Sequence, residues 1–186
     1  MSEPCSFILR VSIEKEQYLN FMQATPSQPK INQNWLNWWD SRDMYGGKLE
    51  FPSEVNSWAH YPSNKSIVDE WLSLKDTMAF SSYDEVEGVW DFGIIFCCEN
   101  FYEILPLLFF CESVAAYKSF CSKDFSIVYP YFWGDESVMA YMIFEEGVST
   151  LHLASSTVDI AKEHIDYAVS KFDEKWDELS GLYSMG

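Results

Sequence analysis

Every second residue from position 7 to position 13 is apolar, and this alternation predicts a β-strand that opens the fold. In the next segment, residues 14–23, the apolar side chains are spaced for one face of a helix, and Ser12 is placed to cap its first turn. Pro26 and Pro29 then impose an extended surface connection, because the residue before a proline avoids the helical region. The chain therefore begins with a strand, a helix and an irregular link.

Residues 32–62 are the least regular part of the chain. Three tryptophans within residues 35–39 could form one side of a short helix, but nearby glycines and prolines break any longer element. We therefore predict a loop-rich excursion here. A clear helix follows over residues 67–79, with Ser66 as its cap and Asp69 three residues later.

The second half of the chain predicts mostly strands. Residues 86–98 form a strand pattern that becomes apolar on both faces toward its end, which is typical of a central strand covered on both sides. Residues 101–118 predict a helix, in which Pro106 is tolerated near the first turn or at a kink. The remaining elements are strands at 125–133, 138–144 and 148–153 and a helix over 157–179, ended by Gly181. Pro130 places the first of these strands at an edge or a bulge.

This order of elements predicts an α+β fold. We expect a single globular domain over residues 1–186, with a mostly antiparallel sheet, a C-terminal three-strand meander and about four helices backing the sheet. The chain contains no internal repeat, low-complexity segment or domain linker.

The composition agrees with a folded protein and limits its partners. Hydrophobic residues make up 48% and charged residues 22% of the 186, so the net charge of -17 does not indicate disorder. A charge of this sign opposes binding to nucleic acid and to anionic membranes. It would attract a cationic protein partner, or it simply keeps the protein soluble.

Neither a membrane span nor a secretory leader is expected. The longest uncharged apolar run, residues 104–111, is far shorter than the roughly 20 residues needed to cross a bilayer. The N-terminus lacks a basic region followed by an apolar run. The five cysteines are odd in number, lie mostly in apolar surroundings and show no C-x-x-C spacing. We therefore expect reduced thiols in the core of a soluble, cytoplasmic protein.

The negative charge is concentrated in one part of the chain. Residues 76–161 carry a net charge of -12, whereas residues 1–75 carry -2 and residues 162–186 carry -3. The acidic residues of the middle region collect at predicted strand starts and turns. Their three groups are Asp84, Glu85, Glu87 and Asp91; Asp135 and Glu136; and Glu145 and Glu146. Because successive turns of a meander alternate between the two ends of a sheet, the three groups cannot all share one surface.

Aromatic residues stand beside two of these groups, and the combination suits a protein interface. Tyr83 and Trp90 accompany the first group, and Tyr129, Tyr131 and Trp133 precede the second. Aromatic anchors supply buried area, while carboxylates steer a basic partner and pair with its Arg and Lys. The alternative is that the aromatics belong to the core and the acids form a solvated rim. The predicted partner-binding residues are Asp84, Glu85, Glu87, Asp91, Tyr131, Trp133, Asp135 and Glu136.

The motifs of several enzyme classes are missing from the sequence. Gly47-Lys48 lacks the other residues of a phosphate-binding loop, and neither G-x-G-x-x-G nor G-x-S-x-G occurs. The three histidines have no metal-ligand spacing, so we expect no metal site and no cofactor. His152 could act as a general base, but a hydrogen-bonded or half-exposed sheet position is the commoner role. Glu145 and Glu146 are poorly placed for glycoside hydrolysis, because adjacent residues of a strand face opposite sides.

Two tryptophan-containing segments give the chain a family resemblance. The sequence NWLNWWD at residues 34–40 follows the first strand and helix, and VWDF at residues 89–92 lies early in the later strand. In a compact acidic α+β chain of this size, these segments resemble the immunity proteins of bacterial polymorphic-toxin and contact-dependent inhibition systems. The resemblance implies a non-enzymatic protein that binds a cognate toxin, often a cationic nuclease, and covers its active or substrate-binding surface.

Two other functions also fit the sequence. In a carbohydrate-binding or carboxylate-dependent hydrolase domain, the aromatics would stack on sugars and the acids would bind or catalyse. In a DNA mimic, rows of carboxylates would displace nucleic acid from a basic site, by the same physics as in the immunity protein. We expect the toxin inhibitor, with the carbohydrate-directed domain as the alternative.

Overall fold

The computed structural model describes residues 3–44, 47–48, 50–52, 58–145 and 147–183. Within these ranges it contains five α-helices and six β-strands that form one sheet. The helices are α1 (Lys15–Gln23), α2 (Gln33–Ser41), α3 (Asn64–Ser73), α4 (Phe101–Val114) and α5 (Lys162–Tyr183). The strands are β1 (Cys5–Ser12), β2 (Ala79–Asp84), β3 (Val89–Cys98), β4 (Phe125–Tyr129), β5 (Ala140–Glu145) and β6 (Val148–His152).

All neighbouring strands pair antiparallel, in the spatial order β2-β3-β1-β4-β5-β6. The predicted α+β fold with an antiparallel sheet is confirmed, and so is the C-terminal meander, formed by β4, β5 and β6. The structure has five helices where the sequence predicts about four. The strand that opens the chain, β1, lies in the interior of the sheet between β3 and β4.

Helices cover both faces of the sheet. On one face, α1 to α4 pack over a core that contains the three tryptophans of α2, which are buried. On the other face, α5 packs through Ala168 and Phe172. β1 is buried from both sides, because Leu9 belongs to the first core and Ile8 to the second, and both are 0% exposed.

The region before β3 differs from its prediction. The sequence pattern predicts a helix as far as residue 79, but α3 ends at Ser73 and a 3-10 turn at Lys75–Thr77 follows. Met78 has φ 50° and redirects the chain into β2, which pairs with β3 as a hairpin. Only Phe80 of this edge strand is buried, so the sequence carries little of the apolar signal that predicts a strand.

Two predicted helix caps have other roles. Ser63, not Ser66, is the N-cap of α3, and Ser66 is the third residue of a capping box with it. The N-cap of α1 is Glu14, without a side-chain hydrogen bond, while Ser12 joins the buried ion cluster described below. Both helices therefore begin slightly away from where the sequence places them.

The ends of two later elements also differ from their predictions. β4 ends at Tyr129, because Pro130 has no N–H to donate to a strand partner, and Tyr131–Trp133 forms a 3-10 turn. β4 is an interior strand, so Pro130 marks its end and not an edge or a bulge. The last helix, α5, begins at Lys162 and contains Gly181 instead of ending at it.

Arg42 ties the end of α2 to the sheet region. Its buried guanidinium donates to the backbone carbonyl oxygens of Val138 at 3.0 Å, Leu153 at 2.9 Å and Ala154 at 2.8 Å. The Nε and Nη2 groups also donate to the hydroxyl oxygen of Ser41. Because all three guanidinium nitrogens have acceptors, the buried cation is solvated by backbone and hydroxyl oxygens.

Gly93 gives a test of the hairpin packing. A methyl group at Gly93 would lie 2.2 Å from the ring of Phe80, which itself packs against Phe172. We expect Gly93→Ala to lower the free energy of unfolding by about 1–3 kcal/mol, as overpacking does, in urea titrations. The control is Gly181→Ala in α5, where an added Cβ meets no atom within 4 Å and stability should not fall. Equal stability of the two variants would contradict the packing of Phe80 over Gly93.

Candidate functional site: two surfaces at opposite ends of the sheet

The structure separates the predicted partner-binding residues into two surfaces. Along β1, Arg10 pairs with Asp91, whereas Ser6 pairs with Tyr129 just before the 3-10 turn. Trp133 in that turn donates from its indole Nε1 to the carbonyl oxygen of Pro4 at 3.2 Å. Positions 4 and 10 are six residues apart, which corresponds to about 20 Å along a strand. One surface contains Asp84, Glu85, Glu87 and Asp91, and the other contains Tyr131, Trp133, Asp135 and Glu136.

The acids of the β2–β3 turn partly serve the turn itself. Asp84 accepts hydrogen bonds at Oδ1 from the backbone N–H groups of Val86 at 2.9 Å and Glu87 at 3.0 Å. Glu85 forms an exposed ion pair with Lys15, 2.6 Å between Oε1 and Nζ. These contacts shape the hairpin, and an exposed ion pair of this kind adds little stability.

Asp91 is buried beneath this turn and already has partners. The hydroxyl of Tyr167 donates to both carboxylate oxygens, at 2.9 Å and 2.8 Å, and Lys171 Nζ lies 3.7 Å away. Burial raises the pKa of Asp91 above its ordinary value, while Tyr167, Lys171 and Arg10 act in the opposite direction. Asp91 therefore holds the hairpin against α5 and is not exposed as its neighbours in the turn are.

An open groove of about 420 Å³ lies above Asp91, between the hairpin and α5. Its lining residues are Arg10, Ser82, Tyr83, Asp84, Glu87, Val89, Asp91, Tyr167 and Lys171. A second hollow of about 300 Å³ shares Arg10 and Tyr167 with it. The groove is lined by charges of both signs, so it does not offer the uniform negative potential expected for a surface that receives a cation.

Arg10 links the groove to a buried ion cluster around Asp124. The side chain of Asp124 is 0% exposed and accepts from Arg10 Nη1 at 2.7 Å and from both the N–H and the hydroxyl of Ser12 at 2.9 Å. Its second oxygen lies 2.8 Å from Nζ of Lys118. Two cations thus compensate one buried carboxylate, and the cluster joins the end of β1 to the connection between α4 and β4.

The opposite end of the sheet exposes aromatic side chains. The 3-10 turn after β4 leaves Phe132 42% and Trp133 45% exposed. The ring centroid of Phe132 lies 5.3 Å from that of Phe96, 5.0 Å from that of Trp176 and 5.2 Å from that of Trp133. We call these four residues the aromatic patch. They come from β3, the turn and α5, so the patch is formed only by the tertiary structure.

Carboxylates flank the aromatic patch. Asp135 and Glu136 follow Trp133 after one intervening glycine and are exposed. On α5, Asp173 accepts a hydrogen bond from the hydroxyl of Tyr131. Burial raises the pKa of half-buried Tyr131, and the charges of Asp173 and Asp177 raise it further, which places both carboxylates near the same turn. The patch therefore combines large apolar rings with negative charge from two elements.

The sequence identified part of this surface and missed the rest. Of the aromatics noted beside the acidic groups, Trp90 and Tyr129 are buried at 0% and 4% exposure and belong to the core, as the alternative interpretation holds. Trp133 is exposed. Local patterns do not indicate a surface role for Phe132 or Trp176, because none shows that a turn residue and a helix residue meet in space.

Among the described residues, the contacts of His152 and Glu145 do not indicate catalysis. His152 is exposed at the end of β6, with its ring centroid 5.5 Å from that of Tyr141. Glu145 is the last residue of β5, and Glu146 lies outside the described residues. Across the described ranges, no three His, Cys, Asp or Glu side chains are arranged to hold a metal ion. No helix in the same ranges has the length and apolar character needed to cross a membrane.

Asp91 gives a pH-dependent test of the groove. Its raised pKa means that the folded state binds the proton more tightly than the unfolded state. As pH rises from the ordinary pKa of 3.8 through the higher pKa of the folded state, ionisation of Asp91 therefore lowers the free energy of unfolding. Asn does not titrate, so the free energy of unfolding of Asp91→Asn, relative to the wild type, should increase with pH across this window and then level off. Tyr167→Phe removes a hydrogen bond that lowers the pKa and should extend the wild-type loss of stability to higher pH. Urea titrations at several pH values measure both effects, and a difference independent of pH would contradict this role of burial.

Comparisons with known proteins do not assign a function to these surfaces. The sequence matches no protein family, and neither the curated proteins nor the solved structures include a significant match to the chain. The chemistry of the two surfaces is therefore the basis for a functional proposal.

Proposed function

We propose that this protein is a non-enzymatic inhibitor that binds a basic protein, a cationic toxin, through the aromatic patch and its flanking carboxylates. The observation that carries the proposal is the aromatic patch, in which exposed Phe132 and Trp133 pack with half-buried Phe96 and Trp176, bordered by acidic residues from the turn and from α5. The net charge of -17 supports the same partner.

The patch combines the two features of a high-affinity interface. Exposed Phe132 and Trp133 can insert into a partner and bury large apolar area. Asp135, Glu136 and Asp177 can pair with Lys and Arg at the rim and steer the approach of a cationic molecule. A patch of aromatic rings without acids would suit many partners, but acids on two sides favour a basic one.

A nuclease is the class of toxin that best fits an acidic inhibitor, because its substrate-binding surface is basic. A nuclease needs Arg and Lys to hold the phosphates of its substrate, and an acidic inhibitor that covers those residues competes with the nucleic acid. The resemblance to immunity proteins points to the same partner, and the inhibitor would then act in the cytoplasm, where such a toxin reaches its substrate.

The geometry gives less support to the carbohydrate-binding or hydrolase alternative. A glycoside hydrolase needs a general-acid carboxyl with a raised pKa beside the aromatic residues that bind the sugar. Asp91, whose pKa is raised by burial, lies in the groove, about 20 Å along β1 from the level of Trp133. Saccharide binding that is lost in Trp133→Ala would favour this alternative over the inhibitor.

The first test compares two exposed phenylalanines. The wild type should bind the cationic toxin domain encoded beside its gene with nanomolar affinity and inhibit the activity of that domain. Phe132→Ala should weaken binding by about 2 kcal/mol or more, which is roughly 30-fold in Kd. Phe120→Ala is the matched control, because Phe120 is 60% exposed but lies outside the aromatic patch, and it should leave Kd unchanged. Equal effects of the two substitutions, or no inhibition by the wild type, would contradict the proposal.

The second test separates the two acidic surfaces by charge reversal. Glu136→Lys with Asp177→Lys changes the net charge as much as Glu85→Lys with Glu87→Lys, but at the opposite end of the sheet. The first pair should slow association about 10-fold or more at low salt, and the difference should shrink as salt rises. The second pair should slow association much less. If the second pair has the larger effect, the partner binds at the hairpin and the assignment to the patch is wrong.

A further inference from the structure

Four sulfur atoms meet where β1 begins and β3 ends, on the face of the sheet that α1 to α4 cover. Cys97 and Cys98 are the last residues of β3, and their Sγ atoms lie 3.0 Å apart. Cys5, paired with Cys98 across the strands, has its Sγ 2.8 Å from Sδ of Met139. Three of the five cysteines of the chain therefore share one cluster.

The adjacent cysteines are unusual because neighbouring residues of a regular strand point to opposite faces of the sheet. Here the β1–β3 register shifts between Phe7 and Cys5, and both thiols lie against the same core. A bonded pair of sulfurs is about 2.05 Å apart, so closing the gap needs a movement of roughly 1 Å.

The two thiols differ in their access to solvent. Cys98 is 5% exposed, whereas Cys97 is half-buried and follows Phe96 of the aromatic patch. Burial raises the pKa of the Cys98 thiol well above its ordinary value and that of the Cys5 thiol to about 12. A small reagent from solvent therefore meets Cys97 first, with Cys98 directly behind it.

The sulfur cluster suits oxidation better than metal binding. The described side chains contain no three-residue set of His, Cys, Asp or Glu with the geometry to hold a metal ion. Cys5 contacts the thioether of Met139 instead of completing a site with the other two thiols. What remains is a pair of thiols in contact, one accessible and one sheltered.

We propose that Cys97 and Cys98 are an oxidative modification site at which a hydroperoxide converts the two thiols to a disulfide between adjacent residues. The proposal concerns the thiol pair alone and does not depend on the proposed toxin.

The reaction has two steps. The Cys97 thiolate attacks the terminal oxygen of the hydroperoxide, the O–O bond breaks, and Cys97 becomes a sulfenic acid while an alcohol or water leaves. The Cys98 sulfur then attacks the Cys97 sulfur, loses its proton and expels the sulfenic oxygen as water. Two thiols and one hydroperoxide thus give one disulfide, one alcohol and one water, and a thiol reductant reverses the bond.

The test uses the whole reduced protein and hydrogen peroxide. After brief treatment and alkylation of free thiols under denaturing conditions, the wild type should have lost two of its five thiols. Peptide mapping should find a disulfide joining Cys97 and Cys98 within one peptide, and dithiothreitol should restore both thiols. Cys5→Ser and Cys121→Ser are the controls, and both should form the same disulfide.

Two further variants test the order of events. In Cys98→Ser the sulfenic acid on Cys97 has no resolving thiol, so a dimedone probe should label it several-fold more than it labels the wild type. Cys97→Ser should lose the disulfide and the label at this site. A disulfide between Cys5 and Cys98 in the wild type, or oxidation of Cys97 to sulfinic acid without a disulfide, would overturn the proposal.

Discussion

The buried carboxylate of Asp124 is the contact on which the arrangement of the molecule depends most. It holds Arg10 and Ser12 of the central strand and Lys118 from the connection that follows α4, and its own side chain is 0% exposed. Such a group is stable in a protein interior only when charges and donors surround it, and removing one member of a buried pair costs about 3–5 kcal/mol. The cluster therefore joins the end of β1 to the segment that leads into β4.

Because β1 is buried on both faces, polar side chains lie mainly at the two ends of the sheet. At the Ser12 end, Arg10 and Asp91 interrupt the face that is otherwise apolar, and α5 must supply Tyr167 and Lys171 to compensate them. These residues satisfy one another, so the groove above them is a byproduct of holding the hairpin to α5. It does not have the excess of one charge that recognition of a basic partner needs.

At the Cys5 end the constraints are different, because β4 stops at Pro130 and the 3-10 turn lifts large rings out of the core. The aromatic patch and the sulfur cluster both lie at this end, joined by Phe96 and Cys97 at adjacent positions of β3. The proposed binding surface and the proposed oxidation site would thus both lie at the end of β3. The two proposals nevertheless rest on separate observations: ring exposure with charge for the first, and sulfur contact for the second.

The sequence by itself determined the antiparallel α+β class, the C-terminal meander and the concentration of acidic residues in the middle of the chain, because each of these follows from local periodicity or composition. It did not predict β2, whose only buried side chain, Phe80, becomes significant once it rests on Gly93. It also could not show that Phe132 and Trp176 would meet, or that Asp91 would be buried against Tyr167. These contacts join residues that are far apart in the chain. Only the tertiary structure decided them, because it places β1 at the centre of the sheet and α5 across its second face.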